Sequence, residues 1–191
     1  VFNPATDKNL VANYTLKTVA KRAENKKALC ELMGFNYSPD RPLMVLISRL
    51  TEQKGIDLVA TVLDEMLQAD IQLVVLGKGD WKYETILKNA EKTYNTKMRA
   101  IINFSQELAS KLYGAADMFL MPSKFEPCGL GQMIAMRYGA VPIVRETGGL
   151  KDTVEAFNPV TQKGNGFTFK AYQAYDMLDA VWRTPVSYTH L

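Results

Sequence analysis

At 191 residues, 47% of them apolar, the chain allows one domain with appendages and carries enough apolar residues for a real core. Its net charge of +3 is too mild to argue for nucleic acid or a membrane surface, and no apolar run approaches the ~18 residues that would span a bilayer. Its two cysteines, Cys30 and Cys128, fit no metal spacing, and the single histidine, His190, stands next to the end, which removes Ser-His-Asp, Cys-His and His-rich metal schemes.

Val1 is not an initiator Met, so the lack of a signal peptide leaves a missing start open; two cysteines far apart in sequence fit a reduced, cytoplasmic setting. Val1 to Tyr14 is mixed, with a turn signal at Asn3-Pro4. Ala20 to Met33, rich in Ala, Lys, Glu and Leu, predicts a helix ended by Gly34. After a two-proline loop at Asn36 to Pro42 the pattern turns to regular alternation. Strands are predicted at Leu43–Ile47, Ile71–Leu76, Arg99–Phe104, Met118–Met121, Val141–Val144 and Gly166–Phe169. Between and after them, helices are predicted at Gly55–Gln68, Trp81–Tyr94, Gln106–Ala115, Leu130–Tyr138, Leu150–Ala156 and Ala171–Trp182. Ile56, Val59, Leu63, Met66 and Leu67 form the inward stripe of the first; Leu130, Met133, Ile134 and Met136 show helical spacing in the fourth. Ser105 is placed to cap the helix at Gln106.

Alternating strands and helices imply a parallel, doubly wound α/β sheet, and near-continuous apolar strands such as Leu43-Met44-Val45-Leu46-Ile47 fit burial on both faces. The expected fold is therefore Rossmann-like from about residue 41 to 170, with the last helix carrying the domain to 184. No Walker motif exists, because Gly77-Lys78-Gly79-Asp80 lacks both the length and the Ser/Thr, and there is no GxGxxG.

Chemistry concentrates in loops that follow strands. Glu126 lies in the strand-to-helix turn Pro122 to Gln132, held extended by Pro127 and followed by Gly129, in the crevice where open α/β sheets bind ligands. An exposed Glu in a surface loop is the competing reading. Arg49 and Lys54 share one loop ahead of a helix start, an anion site suited to a diphosphate, against the alternative of a solvated basic loop. Phe104 at a strand end could stack on a base or sit in the core. Leu130-Gly131 and Gly148-Gly149 offer backbone N–H groups near helix starts, or simply tight turns. Cys128 has no base partner to make it a nucleophile, and a packing role competes.

Phe125-Glu126-Pro127-Cys128-Gly129-Leu130 resembles the signature of bacterial glycogen synthases and plant starch synthases. Ser48-Arg49-Leu50-Thr51-Glu52-Gln53-Lys54-Gly55 and Gly148-Gly149-Leu150-Lys151-Asp152-Thr153-Val154 resemble two more blocks of that family in the same order, and Asn3-Pro4-Ala5-Thr6-Asp7 looks like a fourth. The resemblance covers about residues 2 to 184. It implies the GT-B architecture, two Rossmann-like domains facing across a cleft, of which this chain looks like the second. Residues 1–40 would then be an interdomain segment and leading helix, 41–184 the nucleotide-sugar domain, and Pro185 to Leu191 a foreign or disordered tail in which His190 carries no function. The N-terminal half would be missing and would be this chain's partner.

The resemblance further implies transfer of glucose, with retention, from ADP-glucose to the 4-hydroxyl at the non-reducing end of an α-1,4-glucan, without metal or cofactor. The setting would be the bacterial cytoplasm, or a plastid if the source is a plant or alga. Arg49 and Lys54 would hold the phosphates and Phe104 the adenine. Glu126 would contact the donor glucose, with Cys128, Gly129, Leu130, Gly131, Gly148 and Gly149 around it. Where the wider GT-B group often has a second Glu eight positions on, this chain has Ile134, which suits a front-face substitution with the departing diphosphate helping to deprotonate the acceptor. The alternatives are a GT-B transferase for another sugar nucleotide and a non-catalytic nucleotide-binding module.

Overall fold

The computed structural model describes residues 2–188. Six parallel strands form one sheet in the order β3-β2-β1-β4-β5-β6: β1 (Leu43–Ile47), β2 (Gln72–Leu76), β3 (Met98–Ile101), β4 (Met118–Met121), β5 (Val141–Arg145) and β6 (Phe167–Phe169). Each strand after the first is reached through helical crossovers: α1 (Arg22–Met33) leads in, then come α2 (Ile56–Thr61), α3 (Leu63–Gln68), α4 (Trp81–Thr93), α5 (Gln106–Ala115), α6 (Gly131–Arg137), α7 (Gly148–Thr153) and α8 (Ala174–Tyr188). This is the doubly wound order of dinucleotide-binding sheets, in which the winding direction reverses between β1 and β4.

Strand alternation sorts the core into two layers. Met44, Leu46, Leu73, Val75, Met118 and Leu120 point to one face and pack with α2, α3, α4 and α8. Leu43, Val45, Val74, Leu76 and Phe119 point to the other and pack with α1, α5 and α6. A smaller cluster of Val144, Leu150 and Val154 seats α7. Tyr14 and Asp7 fasten the leading segment to the domain: the Tyr14 hydroxyl donates to the Tyr138 carbonyl at 2.8 Å, and the Tyr138 hydroxyl donates to Asp7 Oδ2 at 2.6 Å. Burial and that carboxylate together push the Tyr138 hydroxyl well above the usual phenol range.

The elements depart from the sequence expectation at five places. The predicted helix Gly55–Gln68 is two helices, because buried Val62 takes φ −119°, ψ 20° and breaks the ladder. The β-branched pair Thr61-Val62 gives that register little helical preference to set against burial of Val62. The third strand is Met98–Ile101, so Phe104 lies beyond it rather than at its end. The inner face of α6 is Gln132 and Ala135, continued by Tyr138, while Met133, Ile134 and Met136 are half-buried and Leu130 is 65% exposed. Gly148 and Gly149 belong to the first turn of α7 rather than preceding it. Finally α8 starts at Ala174 and runs to Tyr188, so Pro185 to Tyr188, expected as tail, continue the helix. His190 and the rest of the expected tail, 189–191, lie outside the described residues. Ser105 caps α5 as expected, accepting the Leu108 N–H at 3.1 Å.

Candidate functional site

Two loops meet where the winding reverses. One follows β1 and carries Arg49 and Lys54; the other follows β4 and carries Glu126. Beyond the carboxyl ends of such a strand pair the flanking loops diverge and leave a crevice. Here they touch at its floor: the Lys124 N–H donates to the Gln53 carbonyl at 2.9 Å, and Lys124 pairs with Glu52 at 3.0 Å. Gly55 makes the approach possible. Its φ of +77° suits glycine, and a Cβ there would lie 2.2 Å from the Pro122 carbonyl oxygen.

The central contact is an ion pair between Lys54 Nζ and Glu126 Oε2, with the two side chains 17% and 13% exposed. Ser123, fully buried, adds its hydroxyl 3.3 Å from the same carboxylate oxygen. Ser123 has no role assigned from the sequence; its place three residues before Glu126 in the same turn is the signal the sequence carries. Arg49 stands at the exposed rim, its guanidinium donating to Gln53 Oε1 at 3.2 Å. One half-shielded pair and one solvent-facing cation therefore occupy the crevice. A polyanion arriving there meets Arg49 with no carboxylate bonded to it in any described contact, and meets Lys54 already bound to Glu126.

The wall behind Glu126 is backbone. Gly148 and Gly149 press against it so closely that a Cβ would come within 2.2 Å of the Glu126 carbonyl oxygen and 2.0 Å of the Cys128 carbonyl oxygen. The Gly149 N–H donates to the carbonyls of Glu126 and Pro127 at 3.0 and 3.2 Å. That N–H is thus occupied holding the Glu126 loop and is not bare for a ligand, as sequence reading had it. Gln132 braces the loop from the other side, its buried amide donating to the Cys128 carbonyl at 3.3 Å and to Thr153 Oγ1 at 3.0 Å. Gly131 opens α6, where the first N–H groups of a helix lack partners inside it. Gly129 sits in the turn at φ +70°, and Cys128 is a free, exposed thiol.

Phe104 is not drawn into this cluster. It follows β3, two strands from β1 at the sheet edge, and is 81% exposed, which rules out the core reading of it. A cavity of about 600 Å³ lies elsewhere, lined by Asn3, Tyr14, Val19, Met136 and Tyr138 near the amino end of β5. Its lining carries Lys17 and Arg137 but no carboxylate, whereas the crevice sets a carboxylate against a cation, so the crevice is the candidate site. Among the described residues no three or more His, Cys, Asp or Glu are arranged to hold a metal, and no helix is long and apolar enough to cross a membrane.

Residues 34–183 match the family described as glycosyl transferases group 1. The chain is 53% identical over 181 residues to a glycogen synthase of Clostridium acetobutylicum and 50% identical over 183 residues to one of Anoxybacillus flavithermus, covering 95% and 96% of this chain but 38% of each relative. Among solved structures it is similar to the catalytic domain of starch synthase IV from Arabidopsis thaliana bound to ADP and acarbose, with a TM-score of 0.89 and 36% identity over 98% of this chain and 39% of that one. The sheet is the Rossmann-like kind found in GT-B glycosyltransferases, and the chain spans little more than a third of the length of the relatives it matches. On the extent of the family match, this chain belongs to the group 1 glycosyl transferases.

Proposed function

We propose that this chain is the donor-binding half of a retaining glucosyltransferase that extends α-1,4-glucan from ADP-glucose, with an N-terminal half completing the cleft. The observation that carries this is the meeting of Lys54 with Glu126 across the point where the sheet reverses its winding. A pure nucleotide-binding lobe needs the cations but has no use for a carboxylate beside them. Similarity to glycogen synthases and to an ADP-bound starch synthase supports the choice of nucleotide and acceptor.

In this reading Arg49 and Lys54 hold the diphosphate, Phe104 offers its exposed ring to adenine, and Glu126 faces the glucose. The bond between C1 of glucose and the diphosphate oxygen breaks, and ADP leaves with the electron pair. The acceptor 4-hydroxyl forms the new bond to C1 on the same face and passes its proton to the departing phosphate. The two cations stabilise charge growing on the leaving group, and the Glu126 carboxylate stabilises positive charge developing at C1. When the diphosphate draws Lys54 toward itself, the pair loosens and the carboxylate is freed to face the sugar.

Calorimetry of this chain with ADP tests the reading. Arg49→Ala removes an exposed cation without disturbing a bonded acid, and should weaken ADP by about 1.5–3 kcal/mol, or roughly ten- to a hundredfold in Kd. Lys54→Ala should also weaken it, and less cleanly, because Glu126 is then left without its cation. Unchanged affinity in both variants would remove the crevice as the nucleotide site.

A further inference from the structure

A third loop braces both halves of the crevice. Arg145, the last residue of β5, spends its guanidinium on three backbone carbonyls: Nε on Ser123 at 3.1 Å, Nη2 on Lys124, and Nη1 on Lys170 at 3.3 Å. Ser123 and Lys124 lie three and two positions before Glu126. Lys170 lies in the loop after β6, and two residues on stands Tyr172. The Tyr172 hydroxyl reaches the other loop, 2.8 Å from the Glu52 carbonyl oxygen and 2.6 Å from Asp57 Oδ1, its one proton shared between the two acceptors. The Tyr172 ring in turn carries two cations near its face, Lys124 Nζ at 5.3 Å and Arg145 at 5.6 Å. Burial, followed by the bond to Asp57, pushes the hydroxyl well above the usual phenol range.

We infer that Arg145 and Tyr172 are positioning residues for the proposed transfer: together they set the distance between the Lys54 loop and the Glu126 loop. Neither touches the crevice groups themselves. Arg145 fixes the peptides from which Glu126 is suspended, and Tyr172 fixes the turn that ends in Lys54. A planar guanidinium with five donors can satisfy three carbonyls at once; an ammonium at the same place, a compact point charge, cannot reproduce that fork. The same brace gives the loop after β6, and so the start of α8, a mechanical hold on the site.

The inference rests on the functional reading, and the test separates the two. In the full-length protein that carries these residues, Arg145→Ala should lower kcat about a hundredfold, the penalty expected for roughly 1 Å of misplacement, while Kd for ADP moves no more than about threefold. Arg145→Lys should recover only part of the loss. Tyr172→Phe keeps the ring and its cation contacts and loses only the hydroxyl, so it serves where Arg145→Ala does not fold; a smaller fall in kcat, again without loss of ADP affinity, is expected. Amide hydrogen exchange on the same proteins supplies a readout free of activity: Lys124 to Glu126 should exchange faster in Arg145→Ala while β1 keeps its protection. If the wild-type protein transfers no glucose, the functional reading fails and exchange alone decides the brace. Unchanged exchange at Lys124 to Glu126, full recovery of kcat by Arg145→Lys, or loss of β1 protection in step with kcat would overturn it.

Discussion

Glu126→Gln in the full-length protein should abolish most glucosyl transfer, by about a hundred- to a thousandfold, while ADP binds at least as tightly as before. The two halves of this expectation come from one contact. Glutamine keeps the size of the side chain and a carbonyl to accept from Ser123, but carries no charge to stabilise the developing cation at C1. Its neutrality also releases Lys54, which in the present structure is bound by the Glu126 carboxylate. A lysine without its acid partner is a better phosphate ligand, so nucleotide affinity does not fall with turnover. Glucose incorporation into glycogen and ADP calorimetry on the same protein check both halves. Near wild-type incorporation would reduce Glu126 to a replaceable sugar contact; a parallel loss of ADP binding would mean the loop had collapsed.

Gly55→Ala should be among the most damaging single-methyl changes at the site. The residue holds φ at +77°, a left-handed conformation that costs an L side chain about 1–2 kcal/mol. Its new methyl would also stand 2.2 Å from the Pro122 carbonyl oxygen, and relieving such an overlap in packed surroundings costs a further ~1–3 kcal/mol. The sum, about 2–5 kcal/mol, should lower the melting temperature of this chain by roughly 5–15 °C. Gly34→Ala is the internal comparison. It has a similar φ of +68°, but its methyl would meet only the far end of the Arg99 side chain at 3.3 Å, so it should show the conformational cost alone. Equal melting shifts for the two variants would mean that the approach of the Lys54 loop to Pro122 is not tight.

Much of the fold was legible because its signals are local. Apolar runs bounded by Gly, Pro and polar residues mark the strands, and the stripe Ile56, Val59, Leu63, Met66, Leu67 is buried as its spacing requires. The break at Val62 was not legible, since the stripe continues through it and only tertiary burial selects the kink. Phe104 was misplaced by its apolar neighbours Ile101 and Ile102, which extend the look of a strand past its last ladder pair, Leu76 with Ile101. For the site, Arg49, Lys54 and Glu126 could each be picked from the loop they occupy. Their convergence could not, because adjacency of β1 and β4 is a property of strand order, which no window of sequence contains. Arg145 and Tyr172 were invisible for a related reason: their partners lie on distant segments, and most are backbone carbonyls, which leave no mark on sequence.

The division of the site between the two halves of the sheet also sets when the site can exist. Lys54 and Glu126 are 72 residues apart, and the strands that bring them together, β1 and β4, pair directly at only two positions, Met44 with Met118 and Val45 with Phe119. By contrast β1 and β2 pair at five. A chain emerging from the ribosome can zip β1 to β2 and β2 to β3 before β4 is made, forming a three-stranded unit that holds Arg49 and Lys54 without Glu126. The long-range closure across the seam comes afterwards, and non-local pairings are the slow ones. Completion of the crevice is therefore a late event in the life of the polypeptide. In a refolding experiment followed by amide hydrogen exchange, protection at Lys124, whose N–H donates to the Gln53 carbonyl across the seam, should lag the return of helical signal and coincide with the slowest phase.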